Sequence, residues 1–248
     1  MKRIVSLLLI FTSIGFGLFS CKKDKSTVPD MGYNYFPDQV GKYVVYDVDS
    51  FYYDNNFSPV KIDSFKFQVK EKIESIYSDN QNRPTIRLER YRKYYNSSTP
   101  YSTLPWMLTD IWAENKTATT VEKVEENDRY IRLIFPTKAS QFWNANIQNT
   151  YEERMFNYLF LDQSRTIGSI QFDSVLQTVY DAGAILTKRE YRTEKYARNV
   201  GMIYRQIIDV ESQPGTNPPP NFFQIPIMQR VTSGYQYTMT VNSFGIEP

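Results

Sequence analysis

From residue 33 onward the chain alternates apolar and polar residues with a period of two. Half-buried β-strands need that pattern, because successive side chains leave opposite faces of the sheet. The clearest segment is 43–54, where Val44, Tyr46 and Val48 share one face and Asp47 and Asp49 the other. Further strands are predicted over 60–77 (with a bend near Lys70), 85–95, 109–114, 119–126 and 130–135. In the second half they are predicted over 154–162, 172–181, 185–196, 202–210 and 235–241. Turn chemistry separates them at Asn80–Pro84, at Glu126-Asn127-Asp128 and at Asp181-Ala182-Gly183-Ala184. One short helix is predicted over 139–146. The Pro-rich stretch 212–221 fits neither strand nor helix and reads as a surface loop. About ten strands spaced by turns predict a mainly β fold. It is an antiparallel meander forming a single sandwich, barrel or curved half-barrel domain over residues 33–248.

The N-terminus follows another rule. Lys2 and Arg3 precede an apolar run over residues 4–19, interrupted only by Ser, Thr and Gly. That run is short for a membrane span, which takes about 20 apolar residues, and it fits a signal peptide over residues 1–20. It ends Leu18-Phe19-Ser20-Cys21, which resembles a bacterial lipobox, although Phe19 is bulkier than the residue usual there. The resemblance implies that the Cys21 thiol receives a diacylglycerol, that cleavage falls before Cys21, and that the new amine is acylated. Residues 21–32 are then a lipidated cysteine and a polar, flexible tether. Lys22 after the cysteine favours the outer membrane by the sorting rule of such proteins, with the inner leaflet and the cell surface both open.

Composition narrows the chemistry. The 248 residues include no His and one Cys. Without His there is no Ser-His-Asp triad and no imidazole metal site. A single Cys allows no intrachain disulfide, zinc knuckle or iron–sulfur cluster. The net charge of +2 comes from Lys2 and Arg3, so the chain beyond the signal is balanced. Nothing in that balance asks for nucleic acid. No cofactor is called for, no metal is expected, and no catalytic residue is assigned.

Several constellations could still carry chemistry. Asp47 and Asp49 share a strand face, where solvated carboxylates are expected rather than an acid/base pair. Glu125-Glu126 and Glu152-Glu153 are sequence neighbours and point to opposite faces in strands. Arg90, Arg92 and Tyr94 share a face, which offers either a polar sheet surface or a site for an anionic sugar or phosphate. The 20 Tyr, 16 Phe and 3 Trp (Trp106, Trp112, Trp143) could pack the sheet faces or stack a ligand. Asn96-Ser97-Ser98, Asn115-Lys116-Thr117 and Asp173-Ser174-Val175 match short glycan-acceptor patterns.

The body also resembles a group of uncharacterised lipoproteins of Bacteroidota-type bacteria. The resemblance rests on Tyr35-Phe36-Pro37, Val40-Gly41 and the strand 43–50, then on Lys123-Val124-Glu125-Glu126-Asn127 and Leu133-Ile134-Phe135-Pro136. Glu194-Lys195-Tyr196-Ala197 with Val200-Gly201 completes it. It implies one domain, a lipid anchor and a bacterial envelope location, and it transfers no ligand-binding or catalytic residue. The expected function is a lipid-anchored binding or accessory protein without catalysis, holding an apolar or carbohydrate ligand or docking on a partner. A structural or assembly subunit of an envelope complex is the alternative, and a carboxylate-based glycosidase ranks below both.

Overall fold

The alternating segments pair into one antiparallel sheet. The computed structural model describes residues 29–247; the signal segment, Cys21 and most of the tether lie outside the described residues. The strands are β1 (Lys42–Asp54), β2 (Lys61–Ser78), β3 (Pro84–Tyr94), β4 (Met107–Lys116), β5 (Thr120–Glu125) and β6 (Asp128–Ile134). They continue as β7 (Phe142–Asn144), β8 (Met155–Ile167), β9 (Ile170–Ala184), β10 (Lys188–Ala197), β11 (Gly201–Glu211) and β12 (Ser233–Ile246). The sheet order is β6-β5-β4-β3-β2-β1-β12-β11-β10-β9-β8-β7. Each strand thus lies beside its chain neighbour, except where β1 meets β12 in the middle and the chain passes from β6 to β7.

Those last two strands are the edges of the sheet, and they meet. The Ile131 N–H donates to the Ala145 carbonyl at 2.9 Å, and the Trp143 indole N–H donates to the Ile131 carbonyl at 3.1 Å. The meander therefore curls into a nearly closed barrel, and the exposed edges that an open sheet leaves are largely removed. The sandwich and the half-barrel are set aside by this closure.

Register fixes which side chains point inward. On β1, Val44, Tyr46 and Val48 lie opposite Glu71, Val69 and Phe67 of β2, and all six are buried, whereas Asp47 between them is exposed. Leu88 of β3 lies opposite Ile73 on one side and Trp112 of β4 on the other. The hairpins show why the turns fall where they do. Between β5 and β6, Glu126 (φ 51°) and Asn127 (φ 72°) both take left-handed backbone, the two-residue geometry whose twist matches paired strands.

One end of the barrel is plugged from its own N-terminal side. The 3-10 turn Tyr33–Tyr35 buries Tyr35 completely, and Phe36 follows it into the core. The Tyr35 hydroxyl donates to Asp162 at 2.7 Å and meets Ser174 at 2.9 Å. The Asn199 N–H donates to the Asn34 carbonyl at 2.7 Å, and Arg198 reaches Asn34 Oδ1 at 2.6 Å. The folded body begins slightly before the predicted boundary, since the Met31 carbonyl already accepts the Thr137 N–H at 3.1 Å.

Three local expectations are corrected. Residues 139–146 form the short strand β7 between turns, not a helix. Asn144 Oδ1 accepts the N–H groups of Asn146 and Arg154 at 2.9 and 3.1 Å, and such local side-chain bonds compete with a helix. The bend in β2 is a bulge between Ile73 and Ser75, not at Lys70. Asp181–Ala184 belongs to β9, and the turn lies just beyond it, closed by the Ile185 N–H on the Lys188 carbonyl at 3.0 Å.

Candidate functional site

Half of the barrel interior obeys the rule that inward means apolar. Leu133, Val121, Leu176, Ile203 and Met239 are fully buried. The other half breaks it. Glu71, Arg90, Glu114, Lys123, Glu125, Arg132, Glu194 and Arg205 occupy inward positions on seven strands, and each is more than four-fifths buried at its side chain.

They form two ion-pair systems. One is a chain: Asp110 to Arg90 at 3.2 Å, Arg90 to Glu71 at 3.0 Å, Glu71 to Lys123 at 3.4 Å, and Lys123 to Glu114 at 3.1 Å. The other is a closed ring of two arginines and two glutamates. Arg132 reaches Glu125 at 2.7 Å and Glu194 at 3.4 Å, and Arg205 reaches the same two at 3.3 and 3.0 Å. Sequence geometry builds the ring. On β6, Tyr130 lies opposite the inward Lys123, and Arg132 two residues on reaches Glu125 and Glu194. Arg205 and Glu194 lie directly opposite on β11 and β10.

Electrostatics follows from this wiring. Burial alone would raise Glu125 and Glu194, but Arg132 and Arg205 outweigh it and hold both below the usual carboxylate range. Burial raises Glu114, and Lys123, which it shares with Glu71 and Glu125, offsets this only in part. The same three carboxylates overcome the burial of Lys123 and raise it. Glu114 is thus held above the usual carboxylate range, opposite in direction to Glu125 and Glu194. The cavity beside these groups, between Phe36 of the plug and Glu114, Lys123, Glu194 and Tyr196, measures about 60 Å³. At roughly 10–15 Å³ per water it suits a few solvent molecules and not a sugar ring.

At the end opposite the plug the inward positions open to solvent. Phe65 and Tyr94 are each 53% exposed, and Tyr95 beside them 57%. Arg92 sits between, with its guanidinium 4.7 Å from the Phe67 ring centre and 5.7 Å from that of Tyr94. A concavity of about 400 Å³ is lined here by Ser50, Phe65, Phe67, Arg92 and Tyr94.

The predicted candidates divide clearly. Arg90, Arg92 and Tyr94 share one face as expected, but that face is the interior; Arg90 is consumed by Glu71 and Asp110, and only Arg92 and Tyr94 reach the open end. Asp47 and Asp49 face outward and bind Gln68, Asn242 and Lys66, each at 2.8 Å. Glu125 points inward, whereas Glu126, Glu152 and Glu153 are exposed. Trp112 lies under Arg90 at 3.8 Å, and Trp143 packs on Tyr158 at 4.9 Å. Trp106 instead covers Lys93 at 4.4 Å on the outside of the barrel. Asn115 is buried and bonded to Thr85, so its acceptor pattern has no access to a glycan. Sequence alone does not single out Glu71, Glu114, Arg132 and Arg205, and it marks Lys123 and Glu194 only as part of the resemblance, with no role. The available signal was charge at inward parity in otherwise regular strands.

No protein-family model matches the chain, and no curated protein matches it. Two solved structures resemble it. One is a protein from Bacteroides fragilis described as exported and of YmcC-like fold, 7% identical, with a TM-score of 0.35. The other is from Parabacteroides distasonis and described as a lipoprotein, 10% identical, with a TM-score of 0.32. Each comparison covers 85% of this chain and 98% of the other.

Proposed function

We propose that this chain is a lipid-anchored protein of the bacterial cell envelope, held at the outer membrane through Cys21, whose barrel binds a small ligand at its open end without transforming it. The observation that carries the reading is the contrast between the two ends. Beside the plug and the ion pairs the interior leaves a cavity of about 60 Å³, while the open end keeps an aromatic concavity of about 400 Å³. Absence of catalysis is supported by the wiring of the carboxylates. Glu71, Glu114, Glu125 and Glu194 are each held by a buried cation, and a glycosidase pair must be free to move a proton or attack a sugar carbon. The anchor is supported by the lipobox resemblance. Three acyl chains, at roughly 0.8 kcal/mol per buried CH₂, hold a protein firmly on a bilayer.

Two measurements test this reading. Metabolic labelling with a fatty-acid analogue should mark the wild-type chain in the membrane fraction, and Cys21→Ser should lose both label and membrane association. Labelling that survives Cys21→Ser contradicts the anchor. Native mass spectrometry of the full chain from a bacterial envelope should show an added small-molecule mass, released unaltered on denaturation. A bare chain shifts the reading to the partner-docking alternative.

A further inference from the structure

Arg92 is the odd member of the interior cations. Arg90, two residues earlier on the same face, has Glu71 and Asp110 within 3.2 Å. Among the described residues no carboxylate lies within ion-pair distance of Arg92. Among the described residues its Nε–H is buried with no acceptor, and the one hydrogen bond of its guanidinium is long, 3.4 Å, to the Tyr94 hydroxyl. A buried donor left unmet is uncommon in a folded protein. The neighbourhood offers no neutralising charge either. Among the described residues Lys93 has no carboxylate partner; it donates to the Tyr101 carbonyl at 2.8 Å, and the nearby Asp49 is taken by Lys66. Around this cation the surface is aromatic: Phe67 beneath it, and Phe65 and Tyr94 exposed beside it.

From this geometry we infer that the open end of the barrel is a site for a ring-bearing carboxylate, Arg92 taking the carboxylate and the faces of Phe65 and Tyr94 taking the ring. The inference rests on the binding reading above and names its ligand class. A guanidinium presents a planar fork that matches a carboxylate with two parallel hydrogen bonds, and here it is already held in place by stacking on Phe67. Exposed aromatic faces accept a ring at little ordering cost, since a tyrosine has few side-chain rotations to lose. Uronic acid units of acidic polysaccharides and aromatic acids share this chemistry.

Isothermal titration of the full chain in detergent tests it. D-glucuronate and benzoate are the probes, with glucose (a ring without charge) and acetate (charge without a ring) as controls. At least one probe should bind, and both controls should bind at least about tenfold more weakly, a difference calorimetry resolves. Arg92→Gln should weaken the bound probe about tenfold or more, as loss of a charged partner does. Tyr94→Ala, a half-exposed position, should weaken it by about threefold or more. If Arg92→Gln fails to fold by circular dichroism, Tyr94→Ala decides. The inference is overturned if neither probe binds, if acetate equals the better probe, or if folded variants bind as the wild type does. Should the site fail while native mass spectrometry still shows a retained molecule, the binding reading stands and the ligand lies elsewhere. If neither probe binds and the chain is bare, both fall.

Discussion

Glu125, Arg132, Glu194 and Arg205 form a ring in which every charge has two opposite partners. Removing one member leaves a buried charge without its full set of partners. Glu125→Gln or Arg132→Met should therefore cost about 3–5 kcal/mol in urea unfolding. Glu114→Gln should cost under about 1 kcal/mol, because it ends the other chain and its charged form is already disfavoured by burial. The same groups set the response to acid. Glu125 and Glu194 titrate below their unfolded values, so their contribution is complete above about pH 4.5 and is lost as pH falls towards their folded values. Glu114 titrates above its unfolded value and opposes them. Its contribution is complete below the unfolded value and declines as pH rises through the folded one. Two lowered groups outweigh one raised group, so unfolding free energy should fall steeply below pH 4.5. Double replacement of Glu125 and Glu194 by Gln should flatten that slope, and an unchanged slope would contradict the assignment.

Strand periodicity made the elements legible, and its breaks hid the site. The faces of β1 are legible in its sequence, because Val44, Tyr46 and Val48 alternate cleanly with Asp47 and Asp49. In β5 the inward residues are Val121, Lys123 and Glu125, while Val124 faces out against Ala113, so hydrophobicity alone points the strand the wrong way. β7 escaped because three residues carry no period. Its strand character comes from pairing Trp143 with Phe156, a contact distant in sequence. Glycine marks where elements meet closely. Gly234, the second residue of β12, has φ +99°, and a Cβ there would stand 2.2 Å from the Asp209 carbonyl oxygen of β11. Gly234→Ala should destabilise by about 2–3 kcal/mol, from backbone strain and lost pairing. Gly215→Ala, with nothing within 4 Å, should change stability by less than about 0.5 kcal/mol in the same thermal or urea series.

For the molecule as a whole, the plugged and open ends give the barrel a direction. Tyr35, Phe36 and Pro37, which belong to the sequence resemblance, have a physical role: they fill the end of the barrel where β1 and β11 begin. Arg92 and Tyr94 were legible as a basic and aromatic face, but their separation from Arg90 was not. That separation depends on Glu71 and Asp110, which arrive from other strands. Hydrogen–deuterium exchange on the full chain, with and without the ring-bearing carboxylate that binds, locates the functional end most directly. Added protection should be confined to residues 64–67 and 92–95, with residues 31–37 unchanged. Protection at the plug, or none at the open end, would contradict the placement of the site.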